Sequence, residues 1–124
     1  METETGWGKL AVHPEVLAEL AADAVARVAT GFRLAPGEGG VRGLLQRGEG
    51  QAVTVEETAA GARVHLHVAV EYGQRMVEIG RVVGRTVEEA FQRAVGQGPC
   101  EVVVHVTDVY LGPAVMASGG SRSE

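Results

Sequence analysis

The stretch from Ala62 to Val95, ARVHLHVAVEYGQRMVEIGRVVGRTVEEAFQRAV, limits what this chain can fold into more than any other. Val64, Leu66, Val68, Val70 and Tyr72 occupy alternate positions, the period of a strand with one buried face. At Tyr72-Gly73 the period changes. Met76, Ile79, Gly80, Val83, Val87, Ala90 and Ala94 then follow helical spacing, while Arg75, Glu78, Arg81, Arg85, Glu88, Glu89 and Arg93 fall mostly off that stripe. A strand that turns at glycine into an amphipathic helix makes a packing unit whose two apolar faces cover each other. It carries no visible catalytic machinery.

The 124 residues suit one domain large enough to bury about two thirds of its unfolded surface. With 45% hydrophobic but only 4% aromatic residues, its core must be packed by valine, alanine and leucine. The net charge of -5 disfavours partners that require a basic surface, both nucleic acid and anionic membrane. One cysteine, Cys100, permits no internal disulfide and fits a reducing compartment. No apolar run approaches the roughly 18 residues that span a bilayer. The opening METETGWGKL is acidic where a signal peptide is positive. A cytoplasmic location is expected, without direct membrane insertion.

Along the rest of the chain, Met1 to Thr5 is polar and expected to fray, and Trp7 to Val12 reads as a short strand with Trp7 as a hydrophobic lid. His13-Pro14-Glu15 marks a helix start, and Val16, Leu17, Leu20, Ala21, Ala24 and Val28 extend the helix to Ala29, with Gly31 as its cap. Phe32 to Leu34 is a short strand candidate. Pro36 to Gly40 is a loop, and Val41 to Gln46 a weak strand or turn. Gln51 to Glu57 alternates as a strand and joins the Ala62 strand through Thr58-Ala59-Ala60-Gly61. Gly96-Gln97-Gly98-Pro99 stops the second helix. Glu101 to Leu111, the most β-branched segment, places Val102, Val104 and Val106 on one face and Val103, His105, Thr107 and Val109 on the other. Apolar residues on both faces suggest an interior strand or one that meets a partner chain. Residues 113 to 124 read as a disordered tail after a single domain over 1 to 112.

Few constellations offer chemistry. His65 and His67 share the strand face opposite the aliphatic one, and His105 joins them if the last strand lies alongside. Such a trio can hold zinc. Arg63 and Glu71 on the same face favour a plain exposed polar surface, so no metal or cofactor is expected and the three histidines stand only as candidates. Gly40-Val41-Arg42-Gly43 matches the GXXG loop of KH domains, but no helix is evident beside it. Cys100 opens a strand after Gly-Pro and reads as packing rather than reacting. Asp108 is either a functional carboxylate or, more plainly, a strand-end residue in solvent. Glu88-Glu89 is a solvated helix face. The last strand offers the best contact surface, because Val103, Val109 and Leu111 add apolar area beyond what one covered face requires. At a sheet edge that strand would also present unpaired backbone groups to a protein partner or to a second copy of the chain.

Three blocks in this order, LAVHPEVLAELAADAVARVATGF, VHLHVAVEYGQRMVEIGRVVGRTVEEAF and EVVVHVTDVYL, resemble the alkaline shock protein family of Gram-positive envelope stress response proteins. The resemblance runs from Gly8 to Leu111, and its most specific part is strand, Tyr72-Gly73, helix and valine-rich strand. The family shows a serine where this chain has His13. The resemblance implies a small cytosolic α+β protein without known catalysis, linked to envelope stress and recruited to the membrane by a separate anchored partner. Some members are associated with fatty-acid and phospholipid metabolism, and the family defines no catalytic residues.

The expected fold is therefore α+β: a two-layer sandwich with two helices on one face of a mixed or antiparallel sheet of three to five strands. Three functional classes follow. The leading one is a non-catalytic protein acting through protein–protein interaction. A lipid- or small-ligand-binding domain comes second, because a sheet–helix interface can open into an apolar pocket. An enzyme built on His65, His67 and His105 comes third.

Overall fold

The structure is a computed structural model that describes residues 1–35 and 52–112. The loop and weak strand expected between Pro36 and Gln46, the GXXG match at Gly40–Gly43 and the tail after Gly112 lie outside the described residues. Strands β1 (Glu2–Thr5) and β2 (Gly8–Ala11) form an antiparallel hairpin. Helix α1 (Pro14–Arg27), β3 (Phe32–Leu34), β4 (Val53–Thr58) and β5 (Gly61–Glu71) follow, then α2 (Met76–Val95) and β6 (Glu101–Tyr110). The fold is α+β, as expected. Its main sheet is mixed and is built on β5. Along one side of β5, β4 pairs antiparallel with the first half and β3 with the last three residues before Glu71. Along the other side, β6 runs parallel to nearly its whole length.

The period-2 reading of β5 holds to the atom. Val64, Leu66 and Val68 are fully buried and Val70 nearly so, in one core with Leu17, Ala21 and Val25 of α1 and Ile79, Val83, Val87 and Phe91 of α2. Both helices therefore cover the aliphatic face of the sheet. Tyr72, expected to continue the buried row, lies beyond the strand end and is exposed. The cause is Gly73, whose φ of +96° turns the chain out of the pleat and into α2, a backbone region that glycine enters without steric penalty. Within α2 the buried stripe runs through Phe91 and Val95, each four residues after the last contact, so Ala94 and Met76 are left exposed. Gly96 ends the helix at φ +93°, its N–H donating to the Gln92 and Phe91 carbonyls at 3.0 and 3.2 Å.

The first helix starts at Pro14 as read but ends at Arg27, two residues before Ala29. Val28 is its cap, and Gly31, at φ +81°, belongs to the turn into β3. His13 caps through its carbonyl alone, which accepts from the Val16 and Leu17 N–H groups, and its side chain makes no capping bond. The serine expected from family resemblance would contribute about 1 kcal/mol here. Two further expectations are corrected. Met1 to Thr5 does not fray, because β1 pairs with β2 and Gln97 donates to the Glu2 carbonyl at 2.8 Å, tying the hairpin to the end of α2. Trp7, at the hairpin turn, covers nothing and is 76% exposed. The β4–β5 turn is the two-residue Ala59-Ala60, since Thr58 pairs directly with Gly61.

Candidate functional site

The face of the sheet turned away from the helices is largely polar. Alternation on β5 projects Arg63, His65, His67, Ala69 and Glu71 there. The register adds Thr54 and Glu56 from β4, Arg33 from β3, and Glu101, Val103 and His105 from β6. These side chains form a connected row. The Arg63 guanidinium donates to Glu101 at 2.8 Å through Nε and to Glu56 at 3.2 Å through Nη1. Glu56 also meets His65 Nε2 at 3.4 Å, and His65 Nδ1 lies 3.1 Å from His105 Nε2. His105 stacks on His67, with ring centroids 4.7 Å apart and planes within 14°. Hydrogen bonds from His65 and then Arg63 hold the Glu56 carboxyl below its ordinary range, and the two carboxylates raise the Arg63 guanidinium above its own.

His65, His67 and His105 are thus brought together as their spacing anticipated, because parallel pairing of β5 and β6 sets His67 directly beside His105. Their rings are nearly parallel, and the facing nitrogens of His65 and His105 bond to each other. Among the described residues no group of three His, Cys, Asp or Glu side chains is arranged to hold a metal ion. Cys100 is exposed, and its N–H donates to the Ala62 carbonyl at the mouth of the β5–β6 pair. Asp108 is exposed on β6 and accepts from the Val109 N–H at 2.8 Å, the plainer of its two readings.

Strand β6 is not interior. Among the described strands it lies at the border of the sheet, and none of them pairs with its far side. The valines on its helix-facing side, Val102 and Val104, pack against the core, which accounts for the β-branched run without a second neighbouring strand. A bulge changes the faces midway: Val68 pairs with Val106 but Ala69 with Asp108, so Thr107 is the extra residue. Val109 is thereby carried to the helix-facing side, opposite to the face expected for it. Val103 stays on the open face and is half-buried. Val109 and Leu111 are 45% and 55% exposed at the end of β6, next to the exposed Tyr72, whose N–H donates to the Tyr110 carbonyl at 2.7 Å.

Sequence reasoning missed one pair. The Arg33 guanidinium lies 4.2 Å from the centre of the Tyr110 ring. Arg33 is the β3 partner of Ala69 and Tyr110 the β6 partner of Glu71, two residues further on, so the pair meets diagonally across β5 beside the small Ala69, which is buried on this otherwise open face. The alanine in the middle of a valine-rich strand was the available signal.

The sheet–helix interface is closed, since the side chains along it are buried. A depression of about 640 Å3 lies on the surface among Glu88, Glu89, Gln92, Arg93, Gly98 and Pro99, half of whose lining residues are charged. Neither feature supplies the apolar pocket of a lipid-binding domain. No helix among the described residues is long and apolar enough to cross a membrane.

Comparison with known proteins matches residues 2–111 to the model of the Asp23 family, the alkaline shock protein family, described as having a cell envelope-related function. The match spans every described strand and helix. No curated protein and no solved structure matches the chain.

Proposed function

The chain belongs to the Asp23 family, and from that premise we propose that it serves the cell envelope as a non-catalytic interaction protein, brought to the membrane by a membrane-anchored protein partner. The observation that carries the reading is the apolar end of β6. Val109, Leu111 and the adjoining Tyr72 expose aliphatic and aromatic surface that the fold itself leaves uncovered. Apolar side chains grouped at one end of a strand suit a protein contact. Lipid is the poorer occupant: a net charge of -5 repels anionic headgroups, and a direct anchor needs a basic amphipathic surface. The envelope-related function of the family and the lack of a spanning helix among the described residues both favour recruitment by a partner, from the cytoplasmic side.

Cell fractionation of the native host tests this. The protein is expected to sediment with membranes, to be released when the membranes are stripped of protein by protease, and to bring down one membrane protein on affinity capture. The double substitution Val109→Glu with Leu111→Glu is expected to abolish sedimentation while leaving the circular dichroism spectrum unchanged. Continued sedimentation of a folded double variant, or binding to protein-free anionic vesicles, would overturn the reading.

A further inference from the structure

The bonding phase of β5 decides which backbone groups of β6 face outwards. The His67 N–H donates to the Ala52 carbonyl, the Ala35 N–H to the His67 carbonyl and the Glu71 N–H to the Gly31 carbonyl. Odd-numbered residues of β5 thus bond on the side of β3 and β4, and even-numbered ones on the side of β6. The Tyr72 N–H, bonded to the Tyr110 carbonyl, keeps the same phase. In a parallel ladder each bonding residue reaches the two neighbours of its partner. Val64, Leu66 and Val68 are partnered by Val102, Val104 and Val106, so they bond to Glu101, Val103 and His105. The N–H and C=O groups of Val102, Val104 and Val106 are left directed outwards, where no described strand meets them. The bulge at Thr107 and the bond from the Val109 N–H to the Asp108 carboxylate end this free edge on its C-terminal side. Along it the side chains of Val102 and Val104 are only half-buried, and Val106 is 38% exposed.

We infer that this edge receives an added strand: an extended segment of the membrane-anchored protein partner that brings no helix of its own to the seam. The helix layer selects that occupant. β3 and β4 share one side of β5, α1 packs on these two strands, and α2 packs on β6. Strands lie about 4.8 Å apart and packed helices about 8–10 Å apart, so each helix stands above one border of the described sheet. A second copy paired along the same edge would bring its own α2 within about one strand spacing of the first, closer than helices pack. A bare strand fits, because α2 then covers its inner side chains. The chemistry of the segment follows from its neighbours. On the helix side it runs along Val102, Val104 and Val106, so its alternate residues are aliphatic. On the open side its ends come beside the exposed Glu101 and Asp108, so basic residues suit those positions on a chain of net charge -5. The edge leads directly into the apolar end at Val109 and Leu111. Such a strand presupposes the recruiting partner of the interaction reading and adds its mode of contact, with main-chain bonds for affinity and the valine row for register.

Hydrogen exchange of the full chain, alone and with membranes of the native host, tests this beside the Val104→Pro variant. The Val104 N–H points away from β5, so proline there removes no bond of the monomer's sheet. It does delete a bond to the added strand and obstruct its approach. Val106→Pro repeats the test at a more exposed residue in case the first variant folds poorly. The Val102, Val104 and Val106 amides are expected to exchange fast in the isolated chain at every concentration. With host membranes they should slow by about tenfold or more, and with protein-free vesicles of the same lipids they should not. Folded Val104→Pro is expected to bind the host membranes roughly tenfold or more weakly than the natural chain. Amides already slow in the dilute chain would place the edge inside the monomer. Slowing with concentration alone would make a second copy the occupant, and slowing on protein-free vesicles would make it lipid. Each of these results overturns the added strand, as do amides that stay fast with membranes or a folded proline variant that binds like the natural chain. A natural chain that does not sediment with membranes refutes the interaction reading and the added strand together. Sedimentation with fast edge amides refutes the strand alone and leaves the interaction reading standing.

Discussion

The two faces of β5 are built from the same eleven residues and behave as different materials. On the helix side, Val64, Leu66, Val68 and Val70 belong to one apolar cluster and are closed to water. On the other side, Arg63, His65 and His67 lie in a row of ion pairs, hydrogen bonds and stacked rings that water can reach. Burial of aliphatic area stabilises in proportion to the surface removed from water, whereas exposed ion pairs gain little because solvent screens them and side-chain entropy opposes them. The stability of the domain therefore belongs to the first face. The second face, open to water, adds little to it.

Substitutions separate the two faces by size of effect. Leu66→Ala, at the centre of the helix side, is expected to cost about 3 kcal/mol by loss of transfer energy and a residual cavity. Chemical denaturation should show it as a lowered midpoint with an unchanged slope. A cost under about 1 kcal/mol would mean that the core can collapse around the gap, and the contrast between faces would weaken. Val103→Glu, on the open side, is expected to cost about 1 kcal/mol or less and to leave the far-ultraviolet spectrum intact. A variant that fails to fold would place Val103 in the core and remove the distinction.

His65→Ala breaks the stack and the nitrogen contact with His105, and its cost should fall below about 1 kcal/mol, because the row is open to solvent. Thermal unfolding of the variant at neutral pH checks this, and a larger loss would show that the histidines act as core. The smallest effect is expected at Glu56. Its carboxyl is held below the ordinary 4.5 by hydrogen bonds from His65 and Arg63, so its contribution is present above that value and is lost as pH falls through the lower folded-state value. Glu56→Gln should therefore differ slightly from the natural chain near neutrality, with the difference closing on strong acidification. Melting curves at stepped pH that show the gap widening in acid would reverse the sign and exclude this pairing.

The sequence by itself determined the elements whose cause is local. The alternation of Val64 to Val70, the helical stripe from Ile79 onward, the proline at the start of α1 and the glycines at 73 and 96 each specify a conformation through short-range sterics and through the period of the apolar side chains. The face on which the histidines fall was legible for the same reason, since strand side chains alternate whatever their neighbours. Tertiary structure decided what depends on pairing between distant segments. That β6 lies at the border of the described strands follows from which side of β5 the β3 and β4 strands occupy, and a β-branched run looks the same in the middle of a sheet and at its border. The bulge at Thr107 turned Val109 to the other face, and no local signal marks one extra residue in a ladder. The meeting of Arg33 with Tyr110 beside Ala69, and of His65 with His105, required two strands to be set in register. That register is a property of the packed sheet and is carried by neither strand alone.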